Sequence, residues 1–132
     1  MRTSGGQAPG EREFHVSEDE MSEHYLDEAL FEELREILDT EFPTLINTFI
    51  QDSGLRLREL VEAFQRGQLD GVRKAAHSLK GASANLGLLR LAEECRLLEE
   101  AARDGCLGSD PATVAAVTRE QARAVEILQG RL

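Results

Sequence analysis

Apolar residues recur at intervals of three and four along most of the chain, which is the spacing of α-helices with one buried face. Five segments show this pattern, and they cover approximately residues 26–39, 40–67, 68–86, 88–103 and 110–128. Thr40 is the expected cap of the second segment, with Pro43 in its first turn. Ser109 or Asp110, followed by Pro111, begins the fifth. Because short connections between long amphipathic helices favour antiparallel neighbours, we predict an all-α fold: an antiparallel up-and-down four-helix bundle with a short extra N-terminal helix.

Composition changes this picture at the N-terminal end. The opening letters MRTSGGQAPG are small and polar, and the residues after them are mostly acidic, so we predict a flexible acidic tail over residues 1–23 and the bundle domain over 24–132. The formal net charge of −10 argues against a nucleic-acid partner. No apolar run suits a signal peptide or a membrane span, and the two cysteines match no disulfide framework or zinc spacing. We therefore expect a cytoplasmic protein that binds no membrane.

A basic segment lies inside this acidic chain. Between residues 66 and 90, five basic residues accompany a single acidic one, and an ordinary solvated helix face would explain them. His77 lies about 200° around the helix from Leu79, so it is expected to point away from the buried stripe. The residues predicted to share its face are Arg73, Lys74, Lys80, Gly81 and Ala84, and Arg90 extends the predicted basic patch.

These residue types suit phosphoryl chemistry. A neutral imidazole is a nucleophile near neutral pH, and the ammonium group of Lys80, one turn along, can stabilise a phosphoryl group. Gly81 costs about 1 kcal/mol of helix stability relative to Ala, and bare backbone beside a nucleophile allows a second protein to approach closely. The alternative is an inert surface histidine with an incidental glycine.

Glu99 is the expected partner of His77. If the third and fourth helices form a hairpin around Gly87, His77 lies about 15 Å before the turn and Glu99 about 18 Å after it, at a rise of about 1.5 Å per residue. A carboxylate at that height could accept a hydrogen bond from Nδ1–H and leave Nε2 free to react. Pairing of Glu99 with Arg96 or Arg103 explains the residue equally well, and the sequence leaves both possibilities open.

The run from His77 to Gly87, HSLKGASANLG, resembles the signature of histidine-containing phosphotransfer (HPt) domains. The resemblance extends over roughly residues 26–132 and implies a four-helix bundle. It implies that His77 accepts the phosphoryl group, that Lys80 stabilises it, and that Glu99 orients the ring. It also implies that Gly81 gives clearance to a partner and that Gly87 is a structural glycine of the motif.

The resemblance further implies the partners. They would be receiver domains of a hybrid sensor histidine kinase and of a response regulator, with Mg²⁺ bound by the receiver and no cofactor or metal in this chain. We expect a monomeric, freestanding phosphohistidine carrier without autokinase activity; whether it should count as an enzyme stays open. A carboxylate-bridged metal site is disfavoured because the Glu-x-x-His motif is missing. The main alternative is a helical module that docks receiver domains without phosphoryl turnover.

Overall fold

Five α-helices make up the structure, a computed structural model that describes residues 25–108 and 110–132. They are α1 (Glu28–Leu38), α2 (Phe42–Gln65), α3 (Leu69–Asn85), α4 (Leu89–Arg103) and α5 (Ala112–Gln129), with a short 3-10 turn at Asp39–Glu41 between the first two. No β-strand occurs in these segments. The predicted all-α class is confirmed. The predicted tail over residues 1–23 lies outside the described residues, and its boundary stays a prediction.

The four long helices close into a ring around one apolar core. Helix α2 packs against α3, α3 against α4, α4 against α5, and α5 returns to α2. All four contribute fully buried side chains, which include Ile46, Leu60, Val72, Leu79, Leu91, Leu98, Val117 and Leu128. The predicted four-helix bundle is therefore correct, and apolar burial on this scale is the main force that holds it together.

The predicted start of α2 needs one correction. Thr40 does not cap this helix, because the chain passes through the 3-10 turn and α2 begins two residues later, after Glu41. Asp39 adopts a positive φ of 47°, and this turn leads α1 directly into the next helical segment. At the start of α5, Pro111 is the N-cap residue and its side chain makes no capping hydrogen bond, while Asp110 Oδ1, one residue earlier, accepts a hydrogen bond from the Ala112 N–H at 3.0 Å. Ser109 lies outside the described residues.

Helix α1 is held at the end of the bundle where α3 turns into α4. The Asp27 N–H donates to the Gly87 carbonyl oxygen at 2.7 Å, and Arg131 makes two hydrogen bonds to Glu28 at 2.6 and 2.9 Å. Gly87 has a φ of +76°, and a Cβ there would lie 3.0 Å from Asp27 Cβ. Only glycine fits both the backbone conformation and the close approach of α1. The turn glycine of the motif therefore also seats the leading helix.

One buried polar pair connects α5 with its neighbour α2. Gln121 Nε2 on α5 donates to Ser53 Oγ on α2 at 3.1 Å, and Ser53 donates to the Ile50 carbonyl oxygen at 3.3 Å. Both side chains are almost completely buried. A buried amide without a partner is costly, so this pair favours one register of α5 against α2.

Candidate functional site

His77 stands on the outer face of α3. Its side chain is 65% exposed, whereas Ala76 beside it and Leu79 two residues on are completely buried. The helix turns by about 100° per residue, so the buried stripe of α3 leaves this position pointing into solvent. The ring therefore lies where another protein can reach it.

Glu99 connects the His77 ring to Lys80. Its Oε2 lies 2.8 Å from His77 Nδ1, and its Oε1 lies 2.8 Å from Lys80 Nζ. Only 10% of the Glu99 side chain is exposed. The hairpin of α3 and α4 thus brings the three residues together, as the similar offsets of His77 and Glu99 from Gly87 predicted.

The alternative partners of Glu99 are engaged elsewhere. Arg96 pairs with Glu93 and Glu100 at 2.7 and 2.6 Å. Arg103 lies 3.5 Å from Asp104. Of the two pairings that the sequence left open, the structure contains the one with His77.

The Glu99 contacts set the chemistry of the ring. The hydrogen bond from Lys80 is the main cause that lowers the pKa of Glu99, burial opposes it, and the His77 contact lowers the pKa further. An ionised carboxylate can only accept hydrogen bonds, so in the neutral ring Nδ1 carries the proton. The lone pair of the other nitrogen, Nε2, is then free to act as a nucleophile.

The surface one turn along α3 carries little side chain. Gly81 and Ala84 are both exposed. A Cβ built at Gly81 would meet nothing within 4 Å, so the packing of the bundle gives no reason for a glycine there. The space over this turn is open to a partner, as the sequence suggested.

The predicted basic patch is more neutral than a charge count along the sequence indicates. Arg73 and Lys74 both pair with Asp70, at 2.8 and 3.2 Å. Lys80 pairs with Glu99. Counting charges along the chain did not reveal the pair of Lys80 with Glu99, because Glu99 lies on another helix.

Arg90 does not lie with the other basic residues. It is nine residues before Glu99 on the same helix, which places it about 180° around α4. Its guanidinium carbon lies 5.8 Å from the centre of the Tyr25 ring, which Arg123 of α5 approaches to 4.7 Å. Sequence proximity therefore misplaced Arg90, because the chain changes helix and direction at Gly87.

Sequence reasoning missed an apolar groove on the flank of α3. It has a volume of about 410 Å³ and lies between α1, α2 and α3. Its apolar lining consists of Leu34, Leu38, Leu45, Phe49, Ala82 and Leu86. The half-buried leucines of α1 and α2 were the available signal, but only the fold shows that they meet next to the exposed face of α3.

The described residues contain neither a cluster of metal ligands nor a membrane-spanning helix. Within residues 25–108 and 110–132, no three His, Cys, Asp or Glu side chains are grouped so as to hold a metal ion. In the same ranges no helix has the combined length and hydropathy of a membrane span.

Comparison with known proteins identifies the family. Residues 44–128 match the family model of the Hpt domain, a span that contains His77, Lys80 and Glu99. The chain belongs to the HPt family. Histidine phosphotransfer within a phosphorelay is accordingly its function.

Solved structures agree with this assignment. The histidine-containing phosphotransfer protein HptB from Pseudomonas aeruginosa PAO1 is 39% identical, with a TM-score of 0.78, over 81% of this HPt protein and 93% of that chain. A rice protein assigned as a histidine-containing phosphotransfer protein is 24% identical, with a TM-score of 0.69, over 82% and 81% of the two chains, and it supports the fold alone. No curated protein sequence matches the chain.

Proposed function

We propose that His77 is the residue that carries the phosphoryl group. The observation that supports this most directly is the exposed imidazole whose Nδ1 is bound by the almost buried carboxylate of Glu99. That contact orients the ring and leaves Nε2 pointing outward. The signature around His77 lies within the matched Hpt span, in agreement with this role.

The reaction follows from the charges at the site. The Nε2 lone pair attacks the phosphorus of an aspartyl phosphate, the bond from phosphorus to the aspartate oxygen breaks, and the aspartate leaves as a carboxylate. The ring then carries both a phosphoryl group and the Nδ1 proton, and Glu99 stabilises the resulting positive charge. Lys80 stabilises the phosphoryl oxygens. Transfer to a second receiver is the same reaction in reverse.

The donor and the acceptor are receiver domains, one of a hybrid sensor histidine kinase and one of a response regulator. Phosphoryl transfer depends mostly on positioning and charge stabilisation, so the receiver is expected to supply the aspartate and the Mg²⁺. We further propose that the protein works as a cytoplasmic monomer without autokinase activity. The roles of Arg73, Lys74, Gly81 and Ala84 would be to contact the receiver.

Transfer of label from a phosphorylated receiver domain, with Mg²⁺ present, tests this proposal. Acid-labile, base-stable label on the chain is expected for the wild type and for His24→Gln, a matched control in the N-terminal segment. His77→Gln should bind the receiver but take no label. Label on His77→Gln would contradict the assignment of the acceptor. Docking of the wild type without any labelling would instead support the non-catalytic binding module.

A further inference from the structure

The groove between α1, α2 and α3 contains one isolated charge. Asp52 of α2 lies among the groove residues, opposite Ala82 of α3, and it is the only charged side chain of the lining. Thr48 and Asn85 are the other polar residues there. Asp52 is exposed, and it forms no ion pair with any residue in the part of the chain that the structure describes. Packing of the bundle does not require a carboxylate at this position.

A protein that reaches His77 must also cover neighbouring surface. Specific interfaces bury about 800 Å² on each partner, which is far more than one imidazole ring offers. On the α4 side, Arg96 is already paired with Glu93 and Glu100, so that side offers charges that are satisfied within the chain. On the α2 side, the groove offers apolar surface whose burial stabilises a complex.

The groove lies on the flank of α3 next to the His77 face, and His77 itself does not line it. At about 1.5 Å and 100° per residue, Ala82 is about 7.5 Å along the axis of α3 from His77 and about 140° around it, and Asn85 is about 12 Å along and about 80° around. Gly81, whose outer side is open, lies between His77 and these two residues. A receiver that docks over His77 therefore also covers Asp52 if its contact surface extends over the groove.

We infer that Asp52 selects among receiver domains: it favours those that present a Lys or Arg side chain, within an apolar contact surface, to the groove. This inference rests on the proposed function of His77. Docking removes water from the carboxylate, and a desolvated carboxylate without a partner is costly. A receiver with a cation at this point restores the lost interaction, whereas one with an apolar or acidic residue there is rejected. Selectivity then arises both from the ion pair with receivers that have a cation at this point and from the unfavourable burial of Asp52 against receivers that lack one.

Charge variants of Asp52 test the inference. Binding is measured by calorimetry between phosphoacceptor-free His77→Gln chains and a panel of purified receiver domains, and label transfer is measured with chains that retain His77. For receivers with a cation opposite the groove, Asp52→Lys should weaken binding at least about tenfold and raise KM in transfer. Asp52→Asn should have a smaller effect in the same direction. A Lys→Glu or Arg→Glu change at the facing position of the receiver should restore binding to Asp52→Lys.

Glu62→Lys is the matched control, because Glu62 is exposed on the same helix, lies outside the groove and undergoes the same change of charge. It should change the affinity by less than about twofold. If Asp52→Lys and Glu62→Lys behave alike with every receiver, or if no charge reversal in a receiver restores binding, the inference is wrong. Failure of the wild type to accept label from any receiver would overturn the proposed function instead, so the two failures are distinguishable.

Discussion

Substitutions of Gly81 distinguish the effect of this residue on stability from its effect on phosphoryl transfer. A glycine within a helix is less favourable than alanine by about 0.8–1.0 kcal/mol. A Cβ at Gly81 meets nothing within 4 Å, so no steric penalty offsets that gain. Gly81→Ala should therefore raise the free energy of unfolding by about 1 kcal/mol, which corresponds to a Tm increase of about 3–5 °C for a chain of this size.

A longer side chain at the same position should interfere with transfer. Gly81 is one turn after His77, so the side chain of Gly81→Gln would fill the space through which a receiver approaches. The variant should unfold at the same urea concentration as the wild type or at a higher one, because glutamine is a good helix former. Its rate of label transfer from a phosphorylated receiver should fall at least about a hundredfold, which corresponds to about 2.7 kcal/mol in the barrier.

Two other helical glycines serve as controls. A Cβ at Gly54 also meets nothing within 4 Å, so Gly54→Ala should give a similar gain in stability and leave transfer unchanged. A Cβ at Gly71 would lie 3.0 Å from Ala63 Cβ, so Gly71→Ala should gain less or lose stability. Normal transfer by Gly81→Gln would refute the clearance argument. Lower stability of Gly81→Ala would show that the position is packed in solution.

Four further predictions concern individual contacts. Glu99→Ala should slow label transfer about tenfold or more without abolishing it, and Glu99→Gln should recover part of the rate because its amide oxygen can still accept from Nδ1–H. Since Lys80 and His77 lower the pKa of Glu99 from 4.5, its contribution to stability is present above that pH and is lost as the pH falls through the lowered pKa; Glu99→Gln should remove this part of the acid dependence in urea titrations. Ser53→Ala leaves the Gln121 amide unpaired and should cost about 1–3 kcal/mol in urea unfolding, whereas the double variant with Gln121→Leu should cost less. Gly87→Ala imposes φ near +76° on a residue with a Cβ, so it should lower the free energy of unfolding by at least about 1–2 kcal/mol.

The sequence alone predicted the features of the site that depend only on the helical repeat of 3.6 residues per turn. Exposure of His77 follows from its angle to Leu79 on a single helix. The contact with Glu99 follows from two similar rises of about 15 and 18 Å on either side of one turn, because antiparallel neighbours place similar offsets at similar height. Neither prediction required knowledge of the other two helices of the bundle.

Predictions failed where more than one helix mattered. Arg90 was assigned to the basic patch from its position along the chain, but the angle around α4 turns it toward Tyr25. The groove that contains Asp52 is formed by three helices, so the hydrophobic pattern of any one helix does not predict it. Thr40 is a good capping residue by type, yet the chain continues through a 3-10 turn and leaves it without that role.

The pairing of Glu99 with both His77 and Lys80 bears on how the phosphorylated state is stabilised. In the structure the carboxylate uses one oxygen for the ring and the other for the ammonium group. The proposed phosphorylation of His77 would add a charge of about −1.5 to −2 next to Lys80 and would draw the ammonium group toward the phosphoryl oxygens. It would also make the ring cationic, which would strengthen the hydrogen bond from Nδ1 to the oxygen that Glu99 already provides. Both changes would act through side chains that are already in contact in the unphosphorylated site, so the proposed reaction requires no rearrangement of α3 or α4.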